Sequence, residues 1–245
     1  MNLRETKFVR HNSNTSAVQE LASKIRQLER TRHRFVRSEQ DVVSTGIPSL
    51  DSLLPHHGML RGTITEWISL EVGCGAMTLA VLAAREAQKT GPVVIIDPLH
   101  CFHVPASDGL GLNVGSVTVI RPKKRLDAFW ATEEALRCSS VGAVLSSLRD
   151  VSTREYRRLQ LAAGTGNNIG LLVRSGARSK QASWADMQLQ VTPVTVARLA
   201  HSRRLLIKVL HTKGCYCEST VVLDVCDETA AVCLASELPI ATALS

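Results

Sequence analysis

The residues best placed to do chemistry lie between Leu70 and Thr78. The stretch Leu70-Glu71-Val72-Gly73-Cys74-Gly75-Ala76-Met77 follows a strand-like run, Thr63–Ile68, and precedes an Ala- and Leu-rich run from Ala76 to about Lys89. A strand, a glycine loop and a helix N-terminus are the setting in which backbone amides cradle phosphate. The full pattern, G-x-x-x-x-G-K-[ST], divides the work: glycines for close approach, lysine for the outer phosphates, a hydroxyl for magnesium. Here only Gly75 fits. Leu70 stands at the first glycine, Ala76 at the lysine and Met77 at the hydroxyl, with Gly73 inside the loop and Thr78 one place late. The strand that would end in a magnesium-linked acid ends in Ser146, and Asp97 is followed by Pro98-Leu99-His100, with no glutamate to orient a water. Hydrolysis rests on positioned charges, so the loop predicts no ordinary ATPase, no catalytic residue and no bound ATP. Its amides retain only a capacity for weak anion binding.

Other clusters point to binding. Arg154, Arg157 and Arg158 fall in one helix-like segment and, with Arg174, Arg178 and Lys180, could line a path for DNA phosphates. The alternative is a solvated rim. Arg121-Pro122-Lys123-Lys124-Arg125 is a second basic cluster open to the same two readings. Trp184 reads as a core residue at a sheet edge, with a partner-contact anchor as the alternative. His211, Cys215 and Cys217 have the wrong spacing for a structural zinc site, so no metal is expected. Aromatic residues make up 4% of the chain, too few for a base-stacking platform.

The elements that must position these groups alternate. Apolar strands at Val93–Ile96, Val117–Ile120, Ala143–Leu145 and Ile169–Val173 alternate with helices at Leu126–Cys138 and Thr153–Ala163. Continuous apolar runs between helices indicate a parallel, doubly covered sheet. After Gly176 the pattern changes: Met187–Val191, Leu205–Leu210 and Thr220–Val225 look like strands with no helix between them, an antiparallel extension of the same sheet. Residues 1–15 lack periodicity and are expected to be disordered. From Ser16, Val18, Leu21, Ala22, Ile25 and Leu28 form one apolar stripe opposite a basic face with Lys24, Arg26, Arg30 and Arg34. The expected organisation is a disordered 1–15, a basic amphipathic helix over 16–40, an α/β core over 43–176, and a β extension over 177–240.

Charge follows the same division. The 245 residues carry a net charge of +7, and residues 1–40, with nine basic against four acidic side chains, hold five of those seven charges. Such asymmetry suits an acidic partner, and a helical segment carrying it would be a partner- or DNA-contacting arm. No apolar run approaches the ~18 residues of a membrane span. The seven cysteines are odd in number and scattered, as expected of reduced thiols in a cytoplasmic protein.

Several segments resemble a RecA-type core: Thr45-Gly46-Ile47-Pro48-Ser49-Leu50-Asp51, the run Gly58 to Glu66, Leu79-Ala80, Ile96-Asp97 and Leu110-Gly111-Leu112, together covering about residues 43–175. Within that superfamily, Tyr156-Arg157-Arg158-Leu159-Gln160-Leu161-Ala162-Ala163, Gly170 to Arg174, Gln181 to Asp186 and Arg203 to Leu210 resemble the ImuA family. This resemblance implies a bacterial accessory protein of SOS-type, error-prone translesion DNA synthesis. The implied partners are an inactive Y-family polymerase homologue (ImuB-like), an error-prone replicative-type DNA polymerase and RecA, with single-stranded DNA as a further ligand and no membrane. The loop departs even from the family's looser version. Two other readings follow from the same likeness: a DNA-dependent ATPase of the RecA type, and a SulA-like cell-division inhibitor.

Overall fold

The computed structural model describes residues 41–69, 73–175, 184–195, 202–213, 219–226 and 231–235. The expected disordered terminus, the basic helix with Lys24, Arg26, Arg30 and Arg34, Leu70 of the glycine loop, and Arg178 and Lys180 lie outside these residues. No described helix is long and apolar enough to cross a membrane.

The strands are β1 (Val42–Val43), β2 (Met59–Leu60), β3 (Thr63–Ser69), β4 (Val93–Ile96), β5 (Val117–Ile120), β6 (Ala143–Ser146), β7 (Ile169–Ser175), β8 (Met187–Val194), β9 (Ser202–Thr212), β10 (Ser219–Cys226) and β11 (Val232–Leu234). The helices are α1 (Pro48–Asp51), α2 (Ala76–Ala87), α3 (Val104–Gly109), α4 (Arg125–Arg137) and α5 (Thr153–Gly166). Among the described residues, nine strands form one sheet in the order β11-β10-β9-β8-β3-β7-β6-β4-β5. β5, β4, β6, β7, β3 and β8 run parallel, and β9, β10 and β11 continue the sheet in antiparallel pairs.

This is the α/β architecture that the alternating pattern predicts, with one correction. β8 pairs parallel with β3, Thr65 opposite Met187 and Ser69 opposite Val191. It is the last parallel strand rather than the first antiparallel one. The sequence between β7 and β8 has no helical periodicity, so its crossover carries none of the signal that marks parallel connections elsewhere.

Burial explains the strand compositions. β6 is buried along its whole length, and β4 at Val93, Ile95 and Ile96, because helices cover both faces. β5, at the edge, alternates half-buried and exposed residues. On one face α2 lies close to the sheet because Ala76, Ala80, Ala83, Ala84 and Ala87 present almost no side-chain bulk; Leu79 and Leu82 fill the gaps against Trp67, Ile95 and Leu171. That core runs on through Leu205, Ile207 and Val209 of β9 to Val221, Leu223 and Val225 of β10, a period of two that matches the pleat. On the other face α4 and α5 bury Phe129, Leu136, Tyr156 and Leu159 against Ile64, Val144 and Leu172.

Local chemistry sets the boundaries. The lead-in turn is tied by Asp51: the Thr45 amide (2.9 Å) and hydroxyl (2.7 Å) donate to Oδ1, and the Ser44 hydroxyl donates to Oδ2 (2.5 Å). Helix α5 starts on a capping box between Ser152 and Glu155 and ends one turn beyond Ala163, with Asn167 left-handed at its C-cap. Asn168 Nδ2 donates to the carbonyls of Leu136 (2.9 Å) and Cys138 (3.1 Å), which α4 leaves unpaired at its end.

Candidate functional site

The parallel strands end along one edge of the sheet, the edge at which open α/β sheets bind ligands. There the glycine loop joins β3 to α2. Gly75 caps α2 in the left-handed region at φ 88°, with no side-chain cap and no acid in the first turn. Gly73 is also left-handed, at φ 86°. The side chains that follow turn into the protein. Ala76 is buried, Met77 packs against the core beneath the sheet, and Thr78 is half-buried. A Cβ on Gly75 would stand 2.7 Å from Leu205 Cδ1, so β9 reaches over to the loop and this glycine is needed for packing as well as for its backbone angle.

The two neighbouring positions are equally committed. Ser146, at the end of β6, is buried and shares a hydrogen bond with Thr132 of α4 (3.1 Å). Asp97 caps the turn after β4. Its Oδ1 accepts from the Cys101 amide (2.8 Å) and its Oδ2 from the Phe102 amide (3.2 Å), and Arg121 Nε lies 3.3 Å from Oδ2. Among the described residues no cluster of three or more histidine, cysteine or acidic side chains could hold a metal; Cys215 and Cys217 lie outside them.

Between β3, β7 and β8 sits a polar group that charge counting misses. Glu66 is fully buried in the middle of β3. Its Oε1 accepts from Tyr156 Oη of α5 (2.6 Å) and from Arg174 Nη1 of β7 (2.8 Å), and its Oε2 accepts from Gln188 Nε2 of β8 (3.0 Å). The trace in the sequence is a single acid, Glu66, inside a strand whose other residues are all uncharged. Burying a carboxylate is costly unless it is paired and hydrogen-bonded, and here three different elements supply the donors.

Arg174 is therefore withdrawn from the proposed DNA path: it is 9% exposed and spent on Glu66. Arg158 is half committed, lying over the Phe129 ring at 4.9 Å and pairing with Glu133 of α4. Arg154 and Arg157 are exposed and take no carboxylate partner among the described residues. Arg149, in the loop after β6, and Lys123 and Lys124, before α4, are exposed as well. Arg125 splits off from its cluster. It donates to both Glu155 oxygens (2.8 and 2.7 Å) and to the Asp150 carbonyl (2.7 Å), which pins the start of α4 to the start of α5. The Arg125 guanidinium, helped by Ser152, holds the Glu155 carboxyl at about 2. The free cations thus gather near the N-termini of α4 and α5, whose dipoles add to the attraction for anions. Trp184 is not a core residue: it is 62% exposed, held through its carbonyl, which accepts from Gln160 Nε2 (2.7 Å).

The sheet order, with a glycine loop and helix following β3, defines a RecA-like α/β core. The crystal structure of the RadB recombinase superposes with a TM-score of 0.61 at 16% identity, covering 76% of this chain and 97% of that one. In sequence, RecA of Rhodopirellula baltica is 34% identical over 106 residues, which is 43% of this chain and 28% of that protein. RecA of Chlorobaculum tepidum is 32% identical over 105 residues, 42% of this chain and 30% of that protein. The matches span less than a third of those RecA proteins. No protein-family model matches the chain.

Proposed function

We propose that this chain is a non-catalytic RecA-like accessory protein of SOS-type, error-prone translesion DNA synthesis, which recruits or stimulates an error-prone polymerase through protein contacts and single-stranded DNA. The observation that carries the non-catalytic part is the fate of the phosphate-site positions. Ala76 and Met77 are packed inward, Ser146 replaces the metal-linked acid, and Asp97 is spent on turn amides and Arg121. An adaptor needs surfaces rather than a charged pocket, and Arg149, Arg154 and Arg157, which are exposed and take no carboxylate partner among the described residues, provide one for phosphates. The translesion role and its partners, an inactive Y-family polymerase homologue, an error-prone replicative-type polymerase and RecA, rest on the ImuA-like segments 156–163, 170–174, 181–186 and 203–210.

Two measurements test the reading. Phosphate release with ATP and single-stranded DNA is expected to stay at the blank rate; turnover abolished by Thr78→Ala would make the chain a DNA-dependent ATPase instead. Pull-downs are expected to recover the polymerase homologue or RecA, and recovery of neither removes the adaptor role.

A further inference from the structure

Helices α4 and α5 pack side by side over one face of the sheet, and three large apolar side chains stand exposed on them among charged and polar neighbours. Leu126 is 70% exposed and Trp130, one turn later on the same stripe of α4, is 62% exposed; Leu161 on the outer face of α5 is 57% exposed. A single exposed apolar residue needs no explanation, whereas an exposed tryptophan and leucine on one stripe of α4, with a further leucine on the adjacent helix, form the start of a protein-contact surface. Arg158 joins the two helices at this point. It stacks on Phe129, next in sequence to Trp130, and pairs with Glu133, one turn past Trp130. Arg157 and Arg154 lie on the exposed side of α5, one and two turns before Leu161 respectively.

We propose that the outer face of the α4–α5 pair docks an acidic, amphipathic helical segment of a protein partner. This rests on the adaptor reading above and names the surface that would serve it. The large apolar side chains favour a protein over nucleic acid, because a phosphate backbone gains nothing from Leu126 or Leu161. Charge selects the sign of the partner. Arg137 and Arg158 are matched by Glu133 and Glu134, and the exposed Asp127 is the one acid of α4 without a cation partner among the described residues. Arg154 and Arg157 have no carboxylate partner among the described residues, so the α5 side of the face is positive and the face as a whole keeps a small positive excess. Tryptophan and arginine at an apolar centre are the side chains that most often dominate binding energy, and a helix laid along two neighbouring helices reads this arrangement through anchors at i, i+3, i+4 and i+7.

The test uses the full chain and a displayed library of helical peptides in which acidic and basic amphipathic members are equally represented. Survivors are expected to be acidic and apolar. A fluorescein-labelled survivor should bind at least about tenfold more weakly to Trp130→Ala and Leu126→Ala, and more weakly still to Arg154→Glu/Arg157→Glu, with affinity falling as salt rises. Thermal midpoints of these surface variants should match the parent, which separates lost docking from lost folding. Survivors of neutral or basic character, no survivors, or binding indifferent to Trp130 and Leu126 would overturn the proposal. Oligothymidine shares Arg154 and Arg157 with the peptide and is expected to compete with it; oligothymidine affinity that itself falls about tenfold in Trp130→Ala would overturn the proposal, by making the apolar centre a nucleic-acid face. ATP turnover would remove the non-catalytic reading and leave this surface standing; failure of the peptide test removes the surface and leaves that reading intact.

Discussion

Arg174→Ala is the perturbation that separates a structural arginine from a DNA-contacting one. Arg174 Nη1 lies 2.8 Å from Oε1 of the fully buried Glu66, which also accepts from Tyr156 Oη at 2.6 Å and Gln188 Nε2 at 3.0 Å. Removing the guanidinium leaves a buried carboxylate with neutral donors only. Breaking a buried pair in this way costs about 3–5 kcal/mol. The retained Tyr156 and Gln188 bonds put the expected loss near the lower end, about 3 kcal/mol. For a fold of this size, at roughly 2–4 °C per kcal/mol, the thermal midpoint should drop by about 6–12 °C. The double variant Glu66→Gln/Arg174→Ala removes the charge as well as its partner, and should recover at least about 1 kcal/mol of the loss. Urea unfolding of the three proteins, read by circular dichroism, measures both steps. In parallel, single-stranded DNA affinity per folded molecule should be unchanged in Arg174→Ala and weakened in Arg154→Ala/Arg157→Ala, whose midpoint should not move. A stability loss under about 1 kcal/mol for Arg174→Ala, or a double variant no more stable than the single one, would refute the buried-pair argument.

Gly75→Ala places a Cβ at φ 88° and 2.7 Å from Leu205 Cδ1, so it should destabilise the fold by roughly 2–3 kcal/mol through strain and overpacking; Leu205→Ala in the same chain should relieve the contact part, and unfolding curves of both check it. Glu155→Gln weakens the α5 capping box and its Arg125 pair, an expected loss of about 1 kcal/mol at neutral pH given the exposure of Arg125. Glu155 is held at about 2, below its usual 4.5, so its stabilisation is complete above the unfolded value and disappears as pH falls through the folded one; the gap between parent and variant should close between about pH 4.5 and 2 in acid titrations followed by fluorescence. Deleting residues 1–40 removes five of the seven net positive charges, and should weaken single-stranded DNA binding and flatten its salt dependence while residues 41–245 stay folded; unchanged binding would show that the charge asymmetry is a solvated surface.

Much of this protein was legible from residue order. Runs such as Val93–Ile96 and Ala143–Leu145 declare buried parallel strands because helices on both faces leave no solvent-facing position for a polar residue. The period of two in Leu205, Ile207 and Val209 declares a half-covered one. The loss of lysine, hydroxyl and acid from the glycine loop can be read by eye, since that chemistry depends on residue type at fixed spacing. What tertiary structure alone decided was which charges are free. Arg154, Arg157, Arg158 and Arg174 look alike along the chain, yet Arg174 is sealed against Glu66, Arg158 bridges to Glu133, and Arg154 and Arg157 remain open. Trp184 and Trp130 likewise stand on the surface where their type suggests burial. A side chain's partners come from strands and helices distant in sequence: Glu66 meets residues 90, 108 and 122 positions away. Periodicity records which face of an element is covered, but not which opposite charge the neighbouring element brings to it, and that pairing determines whether an arginine holds the core together or is left to meet a partner.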